Sequence, residues 1–439
     1  MRVAVIGTGH VGLVTCATLA KIGHDVVGTD KDEAKLAALR AGESPFAEPG
    51  LDELLASTTA SGALRFVADT GEATRDAEVV FICVGTPPRA SGEANLLAVE
   101  QAAREVARHA TGSLVIAQKS TVPAGSTDRL HAAMALERPD LAPSIDVVSN
   151  PEFLREGRAV DDALHPDRIL VGASSERAFC VMRELYRSYT DAGVSLIETD
   201  VRSAELAKHA SNAFLALKIS FANALARIAE RTGADVESVT GIMGADPRIG
   251  PDFLQAGIGY GGYCFPKDLV AFEHLASSLG YDFGLLREVA QINEEAARAA
   301  VDVVCDALWN LEDKRIALLG LSFKPDTDDV RFSPALAVGR MLVDAGADVV
   351  GYDPAAGAEA RHQLPELRIA ESPYEAAREA HCLVLCTGWD EFRHLDVQKL
   401  GELMTHRVVI DGRNFLDGDA YTAAGFAYRA MGRPSRGPV

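Results

Sequence analysis

Arg2-Val3-Ala4-Val5-Ile6-Gly7-Thr8-Gly9-His10-Val11-Gly12 is the stretch on which the reading of the fold turns. A short β-branched run closes on Gly7, Gly9 and Gly12; residues 13–22 then read as a helix, and Val26-Val27-Gly28-Thr29-Asp30 as a second strand. The glycines by themselves are a weak signal. A strand before them, a helix after them and an acid about twenty residues on make the βαβ pattern of a dinucleotide-binding unit. Free amide groups and the dipole at the helix start favour a pyrophosphate there. Asp30 is placed to accept both ribose hydroxyls of an adenosine, and its charge would repel a 2′-phosphate, so NAD is expected in preference to NADP.

At 439 residues, 48% of them hydrophobic, the chain exceeds what one core usually serves, and two or three globular domains are expected. A formal net charge of -20 weighs against nonspecific binding to nucleic acid or acidic membranes; any anionic ligand must be met by local clusters of Lys and Arg. The seven cysteines (Cys16, Cys83, Cys180, Cys264, Cys305, Cys382 and Cys386) are odd in number and scattered, several inside apolar runs such as Phe81-Ile82-Cys83-Val84. Such usage suits a reducing cytoplasm and not a disulfide framework. The apolar N-terminal residues are punctuated by Gly7, Gly9 and Gly12 and pass directly into the βαβ pattern, so neither an export signal nor a membrane span is expected.

Residues 77–84 form a near-continuous apolar run, as in a strand buried on both faces of a parallel sheet. The run ends in Gly85-Thr86-Pro87-Pro88. Ligand loops of doubly wound sheets lie at the carboxyl ends of strands, which makes Thr86 a candidate cofactor contact. Strands expected at 114–117 and 146–149 also end in polar loops, Lys119-Ser120-Thr121-Val122-Pro123-Ala124-Gly125-Ser126 and Asn150-Pro151-Glu152-Phe153-Leu154-Arg155-Glu156-Gly157. A site above this sheet edge is indicated. For Glu152 and Glu156 the pattern equally allows a solvated helix start with acids near the positive end of its dipole.

A long alanine-rich helix is expected from Asp200 to about Ala229, capped by Ser203 or Asp200. Lys208 and Asn212 fall on the stripe of Leu215 and Ile219, so two polar side chains should face inward, where each needs a partner or a role. Next comes Gly257-Ile258-Gly259-Tyr260-Gly261-Gly262-Tyr263-Cys264-Phe265-Pro266-Lys267-Asp268, a lone cysteine between a glycine-rich loop and a Lys-Asp pair. Pro266 suits the first turn of a helix running through Leu269, Phe272 and Leu275. A cysteine just ahead of a helix start and beside a lysine is where thiolate is stabilised; a glycine turn around a buried thiol is the other reading the loop allows.

The α/β alternation restarts at Lys314-Arg315-Ile316-Ala317-Leu318-Leu319-Gly320. Val349-Val350-Gly351-Tyr352-Asp353 echoes the strand ending at Asp30, and Cys382-Leu383-Val384-Leu385-Cys386-Thr387-Gly388 echoes the one ending at Gly85. A second Rossmann-like unit is indicated. Its first turn carries Ser322-Phe323-Lys324-Pro325-Asp326-Thr327-Asp328-Asp329-Val330-Arg331 in place of glycines, suggesting a nucleotide held by different contacts, and its last strand, 408–410, ends in Asp411-Gly412-Arg413-Asn414. The tail 433–439, rich in Pro, Gly and Arg, is expected to be mobile.

Taken together, Gly7 to Gly12, the loops from Lys119 and Asn150, Lys208 with Asn212, the cysteine loop, the stretch from Phe323 to Pro334 and that from Asp411 to Asn414 resemble the UDP-glucose/GDP-mannose dehydrogenase family, through all three regions from Met1 to about Asn414. The resemblance implies an α/β fold of two Rossmann-like doubly wound domains joined by a long central helix and a helical dimerisation region: an NAD domain at 1–199, a connector with the cysteine loop at 200–310, and a nucleotide-sugar domain at 311–439. It implies a cytoplasmic homodimeric enzyme, without a metal, that oxidises UDP-glucose twice at C6 to UDP-glucuronate. Each oxidation hands a hydride to NAD. The alternatives are the same chemistry on GDP-mannose or a UDP-N-acetylhexosamine and, in another class, a nucleotide-sugar-binding regulator without turnover.

By the same resemblance, Lys208 with Asp268 and an ordered water assists loss of the hydroxyl proton, and Cys264 attacks the aldehyde to give a thiohemiacetal and then a thioester. Water positioned by Thr121, Glu152 and Glu156 hydrolyses the thioester, with Lys208 and Asn212 stabilising oxyanions. The cofactor side comprises Gly7, Gly9, His10, Val11, Gly12, Asp30, Lys35, Thr86, Thr121, Glu156, Lys267 and Arg331. The substrate side comprises Glu152, Phe153, Leu154, Lys208, Asn212, Phe253, Tyr260, Gly261, Lys324 and Arg413, with Arg248 reaching the neighbouring subunit's substrate. Three positions depart from the family pattern: His10 replaces a usual tyrosine, Ser126 a common threonine, and Phe332 a glutamate that commonly follows the arginine. His10 bears on closure over the dinucleotide and Phe332 on polar contacts near Arg331; none of the three removes a catalytic group.

Overall fold

Arg2–Ile6 forms the strand β1 at the centre of the first sheet in the computed structural model, which describes residues 1–436. With it lie Asp25–Thr29 (β2), Leu64–Val67 (β3), Val79–Ile82 (β4), Leu114–Gln118 (β5), Ile145–Ser149 (β6), Arg168–Gly172 (β7) and Ser195–Thr199 (β8), in the order β3-β2-β1-β4-β5-β6-β7-β8. Strand β1 feeds two cores because its side chains alternate. Val3 and Val5 pack with Leu13, Val14, Leu51 and Leu55 on one face; Ala4 and Ile6 pack with Val80, Val99, Ala103 and Val106 on the other. Burial on both faces is what the uninterrupted apolar strands anticipate. From β1 to β6 the pairing is parallel, while β7 meets β6 antiparallel through Ser149 and Gly172. The strand order reverses at β1, so the crevice for a ligand opens at the carboxyl ends of β1 and β4.

By its contacts the chain divides into two compact units: Met1–Ser211 with Val270–Tyr281, and Asn212–Leu269 with the chain from Asp282 onward. The helix Val201–Thr232 runs from one into the other. Asp200 Oδ1 accepts from Ser203 N–H at 2.9 Å, which makes Asp200 the cap of the two candidates.

The second unit holds Arg315–Leu319 (β9), Asp348–Tyr352 (β10), Arg368–Ile369 (β11), Cys382–Leu385 (β12), Val408–Asp411 (β13) and Ala427–Ala430 (β14), all parallel, in the order β11-β10-β9-β12-β13-β14. The switch point recurs at β9. The helix Gly284–Leu308 covers this sheet with Ala297, Ala300 and Val304 against Ile316 and Leu318. The expectation of a mobile tail is corrected over its first residues: Arg436 and Tyr428 exchange backbone hydrogen bonds of 2.9 and 3.0 Å, and Arg433 pairs with Asp235 and Glu237 at 3.3 and 2.7 Å. Residues 437–439, to which that expectation also applied, lie outside the described residues. No helix among the described residues is long and apolar enough to cross a membrane.

Candidate active site

In the first unit the glycine loop joins β1 to the helix His10–Lys21. A Cβ on Gly12 would lie 1.9 Å from the Gly7 carbonyl oxygen, so only glycine lets the helix pack under the loop that precedes it. On Gly9 a Cβ would meet nothing within 4 Å, leaving open space beside the helix N-terminus. At the end of β2, Asp30 Oδ2 accepts from Thr8 N–H at 3.0 Å, Thr8 Oγ at 2.8 Å and Lys35 Nζ at 2.8 Å. Burial raises the Asp30 pKa, but Lys35 and Thr8 outweigh it and hold the carboxyl at about 2, so it is ionised at neutral pH. An open anion-binding helix start and an ionised acid at the end of β2 fit NAD. Thr86 is buried and donates to Thr121 O at 3.1 Å, tying the loop after β4 to the loop after β5.

Beyond β5 and β6 the polar residues interlock. Glu152 Oε1 lies 3.3 Å from Lys208 Nζ, both side chains buried, and Glu152 Oε2 accepts from Leu154 N–H at 2.5 Å. The Lys208 ammonium stands 5.1 Å and the Arg168 guanidinium 3.8 Å from the Phe153 ring centre. A cavity of about 250 Å³ is lined here by Lys119, Asn150, Glu152, Phe153 and Leu154 among others. Lys119 and Asn150 stood in the quoted loops without a role. The Lys119 ammonium lies 3.2 Å from Asn150 Oδ1, which also accepts from Tyr186 Oη at 2.6 Å, and burial lowers its pKa against the pull of Cys83 and Glu152. Glu205 was passed over entirely. It is buried and accepts from Gly125 N–H at 2.6 Å, Thr127 N–H at 2.8 Å and Thr127 Oγ at 2.6 Å, anchoring the long helix to the loop that carries Thr121.

In the second unit Cys264 is the first residue of the helix Cys264–Ser278, at the positive end of its dipole. One turn on, the buried Asp268 accepts from Asn212 Nδ2 at 2.6 Å and from Lys267 Nζ at 2.5 Å. Burial lowers the Lys267 pKa, but Asp268 and then Cys264 outweigh it, and the net shift is upward. The glycines ahead of Cys264 allow close packing. A Cβ on Gly261 would lie 2.4 Å from Phe332 O, and Gly262, at φ 78°, donates its N–H to Arg331 O at 3.0 Å. Arg331 pairs with Asp329 at 2.6 Å and lies 4.6 Å from the Tyr263 ring centre; Phe332, exposed, adds no polar group.

Arg413 donates Nη1 to Gly259 O and Nε to Cys386 O, each at 2.7 Å, while its buried Nη2 has no hydrogen-bond partner among the described residues. Burial lowers its pKa to about 10, so it is a cation with a donor to spare. Asp411 holds this turn by accepting from the Arg413, Phe415 and Leu416 amides. Tyr260 and Phe253 flank Phe265, with ring centres 5.6 and 6.2 Å from it, and Lys324 stands 5.6 Å from the Phe323 ring. Arg248 stands apart, 87% exposed and paired with Asp246 at 2.5 Å.

Each unit thus carries part of the expected set: the glycine loop, Asp30, Lys35, Thr86, Thr121, Glu152, Glu156 and Lys208 in the first, and Asn212, Cys264, Lys267, Asp268, Lys324, Arg331 and Arg413 in the second. Lys208 and Asn212 are one turn apart on a single helix. The cysteines separate by environment. Burial pushes Cys83 and Cys386 up to about 12 and raises Cys16 and Cys382 as well. Brief alkylation of the native protein at about pH 8 should therefore label Cys180 and Cys264 and spare these four, read by peptide mass spectrometry. Labelling of Cys83 ahead of Cys264 would contradict the assignment.

Family models for the NAD-binding, central and UDP-binding domains of the UDP-glucose/GDP-mannose dehydrogenase family match residues 1–190, 202–295 and 317–418. The chain is similar to a UDP-glucose 6-dehydrogenase of Rhizobium meliloti (46% identity over 99% of this chain and 100% of that one). Among solved structures it is similar to a UDP-glucose dehydrogenase from Pyrobaculum islandicum (38% identity, TM-score 0.91, 98% of each chain). It is also similar to a UDP-D-ManNAc dehydrogenase from Pyrococcus horikoshii (29% identity, TM-score 0.87, 99% of each chain).

Proposed function

The chain belongs to the UDP-glucose/GDP-mannose dehydrogenase family, and on that footing we propose that it oxidises UDP-glucose twice at C6 to UDP-glucuronate as an NAD-dependent oxidoreductase. The observation that carries this reading is Cys264 at its helix start with Asp268, Asn212 and Lys267 joined one turn behind it. A second hydride can leave C6 only if the aldehyde carbon first acquires another bond, and a retained thiolate supplies one.

NAD, bound at the glycine loop and Asp30, supplies the acceptor for each hydride. Lys208 and Asp268, through a water, assist removal of the C6 hydroxyl proton as the C–H bond breaks, leaving an aldehyde. The Cys264 thiolate bonds to that carbon, and the Lys208 ammonium and Asn212 amide stabilise the oxyanion. Collapse of this oxyanion releases the second hydride and leaves a thioester. Water, held by Thr121 and deprotonated by Glu152 or Glu156, adds to the thioester; the C–S bond breaks and the thiolate returns as the carboxylate forms. The spare donor of Arg413, with Lys324, suits an anionic substrate in a chain otherwise strongly acidic. Turnover with UDP-glucose, GDP-mannose and UDP-N-acetylhexosamines, counting NADH per acid, tests the reading. Two NADH per UDP-glucuronate is expected; one, with free aldehyde, would remove the covalent step.

Residues 1–199, 200–310 and 311–439 are assigned as cofactor domain, connector and nucleotide-sugar domain, and the active species as a homodimer in which Arg248 reaches the neighbour's substrate. Phe214, Phe221 and Ile228, seven residues apart on one face of the long helix, are 62%, 50% and 56% exposed, which supports association along that face. Phe221→Glu should shift the protein from dimer to monomer in light scattering; an unchanged mass would move the interface elsewhere. Seven cysteines without a disulfide support a cytoplasmic setting.

A further inference from the structure

Glu48 lies in the loop ahead of the helix Leu51–Ala60, its side chain fully buried. Its Oε1 accepts from Ala159 N–H at 2.7 Å; its Oε2 accepts from Gly157 N–H at 2.7 Å and from His10 Nε2 at 3.0 Å. Both Glu48 oxygens already accept backbone N–H groups, and Nε2 of His10 is assigned as the donor to Oε2. The His10 ring is held flat against Phe46, with ring centres 4.0 Å apart and planes 19° from parallel. His10 is also the first residue of the helix His10–Lys21, directly after the glycine loop. Three separate pieces of chain therefore meet on one buried carboxylate.

We propose that Glu48 and His10 are positioning residues that lock the loop Asn150-Pro151-Glu152-Phe153-Leu154-Arg155-Glu156-Gly157 to the start of the cofactor helix. The Gly157 N–H belongs to the peptide that follows Glu156, and Gly157 turns there at φ 77°. Holding that peptide fixes where Glu156 stands and how the loop with Glu152 closes. Both carboxylate oxygens are engaged, so Glu48 cannot rotate without leaving a buried charge or a buried N–H unmet, and either loss is costly. The ring N–H of His10 is the side-chain donor in the cluster, and it ties this loop to the cofactor helix. The cluster touches no reacting atom; it acts through the loop.

The proposal rests on the reading of this loop as the one that serves thioester hydrolysis. The test compares Glu48→Gln, His10→Leu and His10→Gln in the full-length protein, measuring kcat at saturating UDP-glucose and NAD, NADH affinity by fluorescence, and covalent acyl-enzyme by intact mass. Glu48→Gln sets an amide NH₂ against a backbone N–H, and kcat should fall roughly tenfold or more, as for a misplaced catalytic group. NADH affinity should stay within about twofold, with acyl-enzyme accumulating because hydrolysis is the slowed step. His10→Leu keeps the apolar contact with Phe46 but removes the donor, and should likewise lower kcat with acyl-enzyme accumulating; His10→Gln restores a donor and should recover most of that difference in kcat. Equal kcat for His10→Leu and His10→Gln would reduce His10 to packing and overturn the proposal. So would unchanged kcat in Glu48→Gln, or a loss of NADH affinity in that variant that accounts for its whole effect. A wild-type chain inert toward UDP-glucose would sink the functional reading and the strut with it; an active wild type with normal variants would sink the strut only.

Discussion

Cys264→Ala should end net acid formation, with steady-state turnover falling by about 10³-fold or more, roughly 4 kcal/mol of lost transition-state stabilisation. The first oxidation needs no sulfur. In the proposed mechanism Lys208 and Asp268 still assist the hydroxyl proton, so a single-turnover experiment should release one NADH per site and a C6 aldehyde detectable with a carbonyl reagent. The second oxidation then lacks the bond that turns the aldehyde carbon into a hydride donor. Cys264→Ser separates nucleophilicity from occupancy of the position: its hydroxyl is a weaker nucleophile, and the ester it forms hydrolyses more slowly than a thioester, so covalent ester should appear in the intact mass. Full two-hydride turnover by the alanine variant would remove Cys264 from the reaction.

Asp268→Ala should have the second largest effect, because the change removes a buried counter-charge and, in the proposed mechanism, a group that assists the hydroxyl proton. Asp268 and Lys267 are 1% and 7% exposed, and their charged atoms are 2.5 Å apart. Removing the carboxylate leaves the ammonium buried without its counter-charge, a class of change that costs about 3–5 kcal/mol. Asn212 also loses its acceptor. A lowered thermal midpoint together with a large fall in kcat is expected. Asp268→Asn keeps the shape and separates the two effects: if it regains stability but not turnover, the charge serves the reaction, and if both return, Asp268 is structural only. The Lys267 pKa is raised on folding from its ordinary 10.5, so the stability it contributes is fully present below about pH 10.5 and is lost as pH rises through the folded value. The wild-type advantage over Asp268→Ala should therefore shrink as pH rises through that alkaline window, and should begin to shrink at lower pH, because in the variant Lys267 is buried without its carboxylate and sheds its proton earlier.

Much of the candidate site's arrangement was legible because its signals are local. The spacing of Gly7, Gly9 and Gly12 sits within one strand-turn-helix unit, and a single acid at the end of the next strand completes it. Lys208 and Asn212 were legible from helical spacing, since two polar residues on an apolar stripe must meet partners; Glu152 and Asp268 are those partners. The strands β7 and β8 were not read. Ser195–Thr199 is an edge strand, mostly exposed, and has no buried apolar run to announce it.

Asp30 and Asp353 mark the limit of such reading, for they occupy matching strand ends yet do different work. Asp30 is held by a threonine and a lysine at the mouth of an open glycine loop. Asp353 gives its carboxylate to the amides of Leu321, Ser322, Ala355 and Ala356 and to the Trp389 indole, leaving it to brace a turn. By itself the sequence determined the two α/β repeats, the NAD-type loop and the order of the motifs on which the family resemblance rests, because hydrophobic period, glycine spacing and helix phase are set by near neighbours. Only the tertiary structure decided how buried carboxylates are satisfied: Glu48 finds Gly157 109 residues away and Glu205 finds Gly125 80 residues away. A buried acid must be met by donors wherever packing supplies them, and no local pattern in the chain says which donors those will be.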